Sequence, residues 1–270
     1  MSRRVCVAFV SAALIVSTAK AADQPLQPLG KWTVSDGDTV CIASRSYGAP
    51  AAPLTLAVVP SPNGETYELL VSSKYTADER AIEEQGSIDF GNGPISAWAL
   101  FYQTANKRSD VHDFRIPATE VARAESAPSM TLHISGSSDF AFELDSMPQV
   151  LGQLRGCTAE LNRRWNVDGA RNADFSRLAR GNLRNVFGPE DYPLQALWAG
   201  KGGKGQYLLL IDERGKVDGC QVLQPTGVPV LDVTACAVIE GKAKFTPALD
   251  KDGKPVRDTI ITPPIEWEVR

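Results

Sequence analysis

The sequence predicts an α+β chain in two parts. A β-rich N-terminal domain over residues 30–167 is a sandwich or barrel with one packing helix, and residues 189–270 form a small β-β-α-β domain. Three observations carry this. Short runs rich in β-branched and aromatic residues recur through the first half, separated by clusters of Gly, Pro, Asn and Ser. One stretch, Pro148–Trp165, instead repeats its apolar residues at three- and four-residue steps. In the last third, two β-rich runs meet around a Gly-containing turn, followed by a helical pattern and a final alternating run. A length of 270 residues allows two modest domains, and 43% hydrophobic residues suffice for a core in each.

The first residues read as an export segment. Arg3 and Arg4 precede an apolar run, Val5–Val16, and Ala19-Lys20-Ala21 has the form of a cleavage site. The run is about a dozen residues, whereas a membrane-spanning helix needs roughly twenty. Residues 1–21 are therefore expected as a cleaved signal peptide and the product as periplasmic. Ala22–Gly30, with Pro25 and Pro28, is a short extended lead-in. Strand-like runs follow at Trp32–Val34, Val40–Ile42, Leu54–Val59, Tyr67–Val71, Ile95–Tyr102, Met130–Ile134 and Phe140–Leu144. Pro60–Gly64, Gly91–Pro94 and Ser135–Ser137 mark turns. The helix puts Val150, Leu151, Leu154, Cys157, Leu161 and Trp165 on one face and leaves Arg155, Glu160, Arg163 and Arg164 for the rest, so it packs on the strands.

Four cysteines remain after the export segment: Cys41, Cys157, Cys220 and Cys236. An even number in an oxidising compartment points to disulfides. Of the three pairings, the domain split favours Cys41–Cys157 and Cys220–Cys236. The second would staple a strand to the helix that follows it. No C-x-x-C or His pairing points to a metal, and no cofactor is expected.

Asn166–Asp191 reads as a connector, with residues 168–188 as the linker proper and a short helix expected over Ala173–Arg184. It is too short and too poor in Pro to act as an extended spacer across a periplasm. The C-terminal order then runs Tyr192-Pro193, the small-residue run Gly200–Gly205, the strand Gln206–Asp212, the turn Glu213-Arg214-Gly215 and a second strand Lys216–Leu223. The helix Leu231–Lys242 follows, with Asp232 in its first turn where a carboxylate favours the helix dipole. Phe245-Thr246-Pro247-Ala248, Gly253–Val256 and a last strand Thr259–Val269 complete it.

This order closely resembles the C-terminal domain of TonB-family proteins, the module that grips outer-membrane receptors from the periplasmic side. The resemblance covers about residues 180–270. It implies that the last strand is an edge that takes up an extended receptor segment by strand addition, with Ile265, Glu266, Trp267, Glu268 and Val269 as the partner-binding residues. Alternation puts Ile265, Trp267 and Val269 on one face and Glu266 and Glu268 on the other. Pro263-Pro264 departs from the family pattern and removes two backbone donors, so only Ile265–Val269 is free to pair fully. In the first half, the Trp32…Cys41 start and the strand pattern resemble the invasion-associated locus B family of exported proteins. No function is carried over from that likeness.

A net charge of −4 with no basic stripe argues against a nucleic-acid partner. No G-x-S-x-G elbow, H-E-x-x-H or paired-carboxylate motif appears. Asp110-Val111-His112-Asp113 reads as a polar turn between strands, where a general base or metal ligand would have to sit. His133 falls in an alternating strand and reads as structural. Gly200–Gly205 lacks the Ser or Thr of a phosphate loop after Lys204 and precedes a strand, so it reads as a flexible lead into the hairpin. The expectation is a non-catalytic periplasmic protein that binds an outer-membrane TonB-dependent receptor or another envelope protein and meets the membrane only indirectly. The alternatives are a hydrolase or small-molecule-binding protein with its site in the N-terminal domain, and a purely structural envelope protein.

Overall fold

The computed structural model describes residues 24–74, 82–103, 109–134 and 139–269. The expected export segment, 1–21, lies outside them. In the N-terminal part, β1 (Thr33–Asp36), β2 (Cys41–Ala49), β3 (Ala52–Pro60), β4 (Thr66–Lys74), β5 (Ile82–Asp89), β6 (Pro94–Gln103), β7 (Ser109–Pro117), β8 (Ser129–Ile134) and β9 (Phe140–Glu143) form one antiparallel sheet. Its order is β1-β2-β3-β4-β7-β6-β5-β8-β9. The short helix α1 (Ala118–Val121) follows β7. The lead-in joins the two ends of the sheet. Leu26 bridges Phe142 of β9 and Pro28 bridges Tyr47 of β2, with the Leu26 N–H donating to the Ala141 carbonyl at 2.7 Å. The sheet therefore curls back on itself, the barrel-like form of the two expected.

The stretch Asp110–Asp113 is not a turn. It lies in the middle of β7, where Asp113 pairs with Leu70 of β4 on one side and Leu100 of β6 on the other. Period-two alternation places His112, Phe114 and Ile116 toward the inner core and Asp113 and Arg115 on the outer face. The C-terminal part covers that face, where Arg115 is compensated by its ion pair with Glu68 of β4.

Helix α2 (Met147–Trp165) buries Val150, Leu151, Leu154, Leu161 and Trp165. Pro148 sits in its first turn, where the missing N–H costs nothing. Asn166 ends it in a left-handed conformation. Cys157 bonds to Cys41 of β2, Cα to Cα 6.0 Å, and holds the helix to the sheet.

The connector contains no helix over Ala173–Arg184. A 3₁₀ turn, Asn172–Asp174, leads into β10 (Phe175–Arg177), which pairs with β13 (Ala248–Asp250), itself paired with β14 (Pro255–Val256). Ala179, Leu183, Val186 and Phe187 pack against the C-terminal core. Their burial against that core outweighs a weak local helical preference.

Farther on come α3 (Leu194–Trp198), β11 (Gly203–Ile211), β12 (Val217–Gln224), α4 (Pro229–Lys242), β15 (Asp258–Ile261) and β16 (Ile265–Trp267). β11 is central, with β12 on one side and β15 and β16 in succession on the other. Gly203–Gly205, expected as a flexible lead, is paired strand opposite Trp267–Ile265. The hairpin turn needs Gly215, whose φ is +80° and whose Cβ would stand 1.9 Å from the Phe245 carbonyl oxygen. The expected single last strand is broken at Pro263-Pro264, which cannot donate to β11. Cys220 and Cys236 join β12 to α4, Cα to Cα 5.4 Å.

The two parts share an interface through both faces of β11. Tyr207, Leu209 and Ile211 pack with Leu231, Ala235 and Ile239 of α4, whereas Leu208 and Leu210 belong to the N-terminal core. Arg257 reinforces the seam by pairing with Asp38 at 2.8 and 2.7 Å and lying 4.7 Å from the Trp165 ring centre.

Candidate functional site

Among the described residues β16 pairs with β11 alone, on one side. Beside it runs a groove of about 510 Å³ between Ile265–Glu268 and a wall formed by Phe187, Gly188 and Tyr192. Trp267 is held edge-on by both aromatic residues of that wall, with ring centres 5.6 Å from Phe187 and 5.3 Å from Tyr192. Such contacts add about 1 kcal/mol each beyond the area they bury. The Tyr192 hydroxyl donates to the Lys201 carbonyl at 2.8 Å. The wall is pinned again at Asp191, which accepts from the Gly188 N–H at 2.8 Å and from Lys242 Nζ, on the last turn of α4, at 2.7 Å. Lys242, with the Gly188 N–H, holds the Asp191 carboxyl below the usual range.

The structure brings Ile265, Glu266, Trp267 and Glu268 together along this groove. Ile265 is half-buried, Glu266 exposed and Trp267 buried, as a period of two requires. Val269 breaks the pattern. It lies beyond the end of β16 and is 43% exposed, so it does not continue the buried face. Glu266 stands 3.8 Å from Lys204 across the strand pair. Cys41, Cys157, Cys220 and Cys236 are disulfide-bonded in the expected pairs.

A second polar cluster lies at the seam, between the outer face of the N-terminal sheet and α4 with β12. Asp113 is 6% exposed, and its Oδ1 has no hydrogen-bond donor among the described residues. Burial pushes its carboxyl well above the usual range, the neighbouring Glu68 adds to this, and Arg115 opposes it. Arg115 pairs with Glu68 and lies 5.3 Å from the Trp98 ring centre. From the other side, Asp232 accepts from the Tyr207 hydroxyl at 3.0 Å and from the Thr226 N–H at 3.0 Å. Burial raises the Asp232 carboxyl too, offset by those donors. Asp232 therefore ties the β12–α4 loop to β11, a role beyond the dipole interaction expected for it.

His112 does not join this cluster. Its ring packs 5.0 Å from Phe101 and 5.3 Å from Phe140, and alternation puts it on the opposite face of the sheet from Asp113. Asp110 accepts from Gln103 Nε2 at 2.9 Å. His133 lies at the surface with its Nδ1 2.5 Å from Asp139. Sequence reasoning missed Glu68, Tyr102 and Arg115 as neighbours of Asp113, because only the pairing of β4, β6 and β7 brings them together.

Residues 189–269 match the family model of the Gram-negative bacterial TonB protein C-terminal domain. No curated protein matches the chain, and no solved structure matches it either. Among the described residues, no helix is long and apolar enough to cross a membrane. The resemblance read from the sequence thus holds over the segment that contains the groove and β16, where residues 189–269 match the TonB C-terminal family model.

Proposed function

We propose that the protein is exported to the periplasm and acts without catalysis, its C-terminal domain binding an extended segment of an envelope protein by strand addition at β16. An outer-membrane TonB-dependent receptor is the first candidate. The observation that carries this reading is the edge itself: β16 has β11 on one side and a groove with an anchored aromatic wall on the other. Main-chain hydrogen bonds along an edge supply affinity, and side-chain pockets supply choice. With Pro263-Pro264 before it and three residues in the strand, β16 offers few main-chain bonds. The groove around Trp267 has to supply the rest.

The test is site-specific photocross-linking in intact cells, with the cross-linker at Glu266 or Glu268 and a control at exposed Lys251 on the β13–β14 turn. Adducts to an envelope protein from the two edge positions, and not from Lys251, are expected. Equal or absent adducts at all three would overturn the edge reading.

A further inference from the structure

The seam between the two parts holds an open cleft of about 330 Å³, within the range of small-ligand sites. Its walls are of two kinds. Val222, Val233, Ala237 and the Cys220–Cys236 disulfide form an apolar side from β12 and α4. Glu68, Tyr102, Asp113 and Arg115 present polar groups from the outer face of β4, β6 and β7. Asp232 and Glu240 add two more carboxyl groups from α4.

The charge balance of these walls is uneven. Four carboxyl groups, on Glu68, Asp113, Asp232 and Glu240, face one guanidinium, that of Arg115. Arg115 is already paired with Glu68 and stacked on Trp98. Asp232 is held by Tyr207 and Thr226. Glu240 accepts from the Cys220 backbone N–H. That leaves Asp113, almost wholly buried, lining the cavity and without a donor at Oδ1 among the described residues. A buried carboxyl oxygen without a partner is costly and rare. An anion would meet an excess of carboxylates here. A metal ion is a poor fit, because no group of three or more potential ligand side chains is assembled among the described residues.

We propose that this cavity binds a small organic cation with a short aliphatic stem, a primary ammonium or guanidinium compound, with Asp113 as its counter-ion. The charged head donates to Asp113 Oδ1, Tyr102 and Gln221 belong to the same lining, and the stem rests on Val222, Val233 and the disulfide. The site is built from both parts of the chain, so it exists only when they are docked. It does not rest on the edge reading, since β12 and β16 lie on opposite sides of β11.

The experiment is isothermal titration calorimetry of the full exported chain with n-pentylamine and agmatine, against n-pentanol and pentanoate as neutral and anionic controls. Saturable binding of the two cations is expected, with the controls weaker by roughly tenfold or more. Asp113→Asn keeps the shape and removes the charge, and it should lose the preference for the cation by a similar factor. Val233→Trp, on the exposed side of α4, fills the cavity and should abolish binding without touching Asp113; it decides the matter if Asp113→Asn does not fold. Absence of saturable binding by either cation, equal binding of n-pentanol, or unchanged affinity in folded Asp113→Asn overturns the proposal.

Discussion

The two parts of this chain build the same device at different reach. Each packs a helix on a sheet and fixes it with one disulfide, but Cys41–Cys157 closes 116 residues and Cys220–Cys236 closes 16. In the C-terminal part the helix follows its strand directly, and the staple secures a contact that is already local. In the N-terminal part the helix comes last and is tied to the second strand of nine, so the staple secures a closure that the whole sheet must form first. The difference teaches that loop closure gives the first disulfide the larger entropic term of the two.

Two double substitutions measure that difference. In the chain-entropy model, removing a link across the longer loop costs about 5 kcal/mol and across the shorter about 3 kcal/mol. Cys41→Ala with Cys157→Ala should therefore lower the unfolding free energy in urea more than Cys220→Ala with Cys236→Ala does. Equal losses would mean that native contacts, not loop closure, set both values.

A smaller loss, about 2–3 kcal/mol, is expected for Asp232→Ala, which leaves the Tyr207 hydroxyl and the Thr226 N–H buried without an acceptor. Asp232→Asn retains an acceptor and should recover most of it. Urea denaturation of both variants checks this. Similar losses in the two would show that the charge of Asp232, not its oxygen as an acceptor, holds the β12–α4 loop.

The same contrast of local and distant contacts explains what the sequence disclosed. The C-terminal hairpin and its helix were legible because Gly215 and the spacing of Leu231, Ala235 and Ile239 are local signals, whereas the Pro pair reads in sequence only as two lost donors within one strand, Thr259–Val269, and in the structure divides it. Helix α2 was legible to within a residue for the same reason. β7 reads as a turn in sequence because Asp110, His112, Asp113 and Arg115 interrupt its apolar pattern. What makes them a strand is cover on both faces, from the inner core and from α4, which no short window of sequence contains. β5 is hidden in sequence because its run Glu83-Glu84-Gln85-Gly86-Ser87 is polar, and its place is fixed by ladders to β6 and β8. The residues of the edge groove divide likewise. Trp267 and the two glutamates are readable from alternation, whereas Phe187 and Tyr192 become its wall only through the return of the connector onto the C-terminal core.

Asp113 sharpens the comparison of the parts at their seam. Its carboxyl is raised by burial and by Glu68, against the pull of Arg115, with Tyr102, Asp232 and Glu240 also lining the cavity it faces. For a carboxyl raised on folding, the contribution to stability is fully present below the unfolded pKa of about 4 and is lost as pH rises through the folded value. Every tenfold gain in proton affinity on folding corresponds to a loss of about 1.4 kcal/mol once the carboxyl ionises. Asp113→Asn does not titrate, so its stability relative to the parent should rise from acid toward neutral pH, with the two closest near pH 4. Parallel urea curves across that range in the parent and the variant would show that Asp113 stays ionised and solvated, and that the seam is looser than the core beside it.

The smallest effect on the fold is expected at the edge. Glu266 and Lys204 form an ion pair at 3.8 Å with both side chains more than half exposed, 57% and 60%. Exposed pairs of this kind are worth between zero and about 1 kcal/mol. Glu266→Lys should leave the unfolding free energy within about 0.5 kcal/mol of the parent, so any loss of partner capture cannot be laid to unfolding. If the edge takes up a segment with basic or neutral residues opposite Glu266, the reversed charge should slow encounter and reduce adducts formed from a cross-linker at Glu268 several-fold at low ionic strength. The reduction should shrink as salt shortens the screening length to about 8 Å or less. A folded Glu266→Lys protein that captures its partner at parental yield in low salt would remove Glu266 from partner choice. Recognition would then fall to the groove between Trp267, Phe187 and Tyr192, and Tyr192→Ala would become the substitution that separates the two.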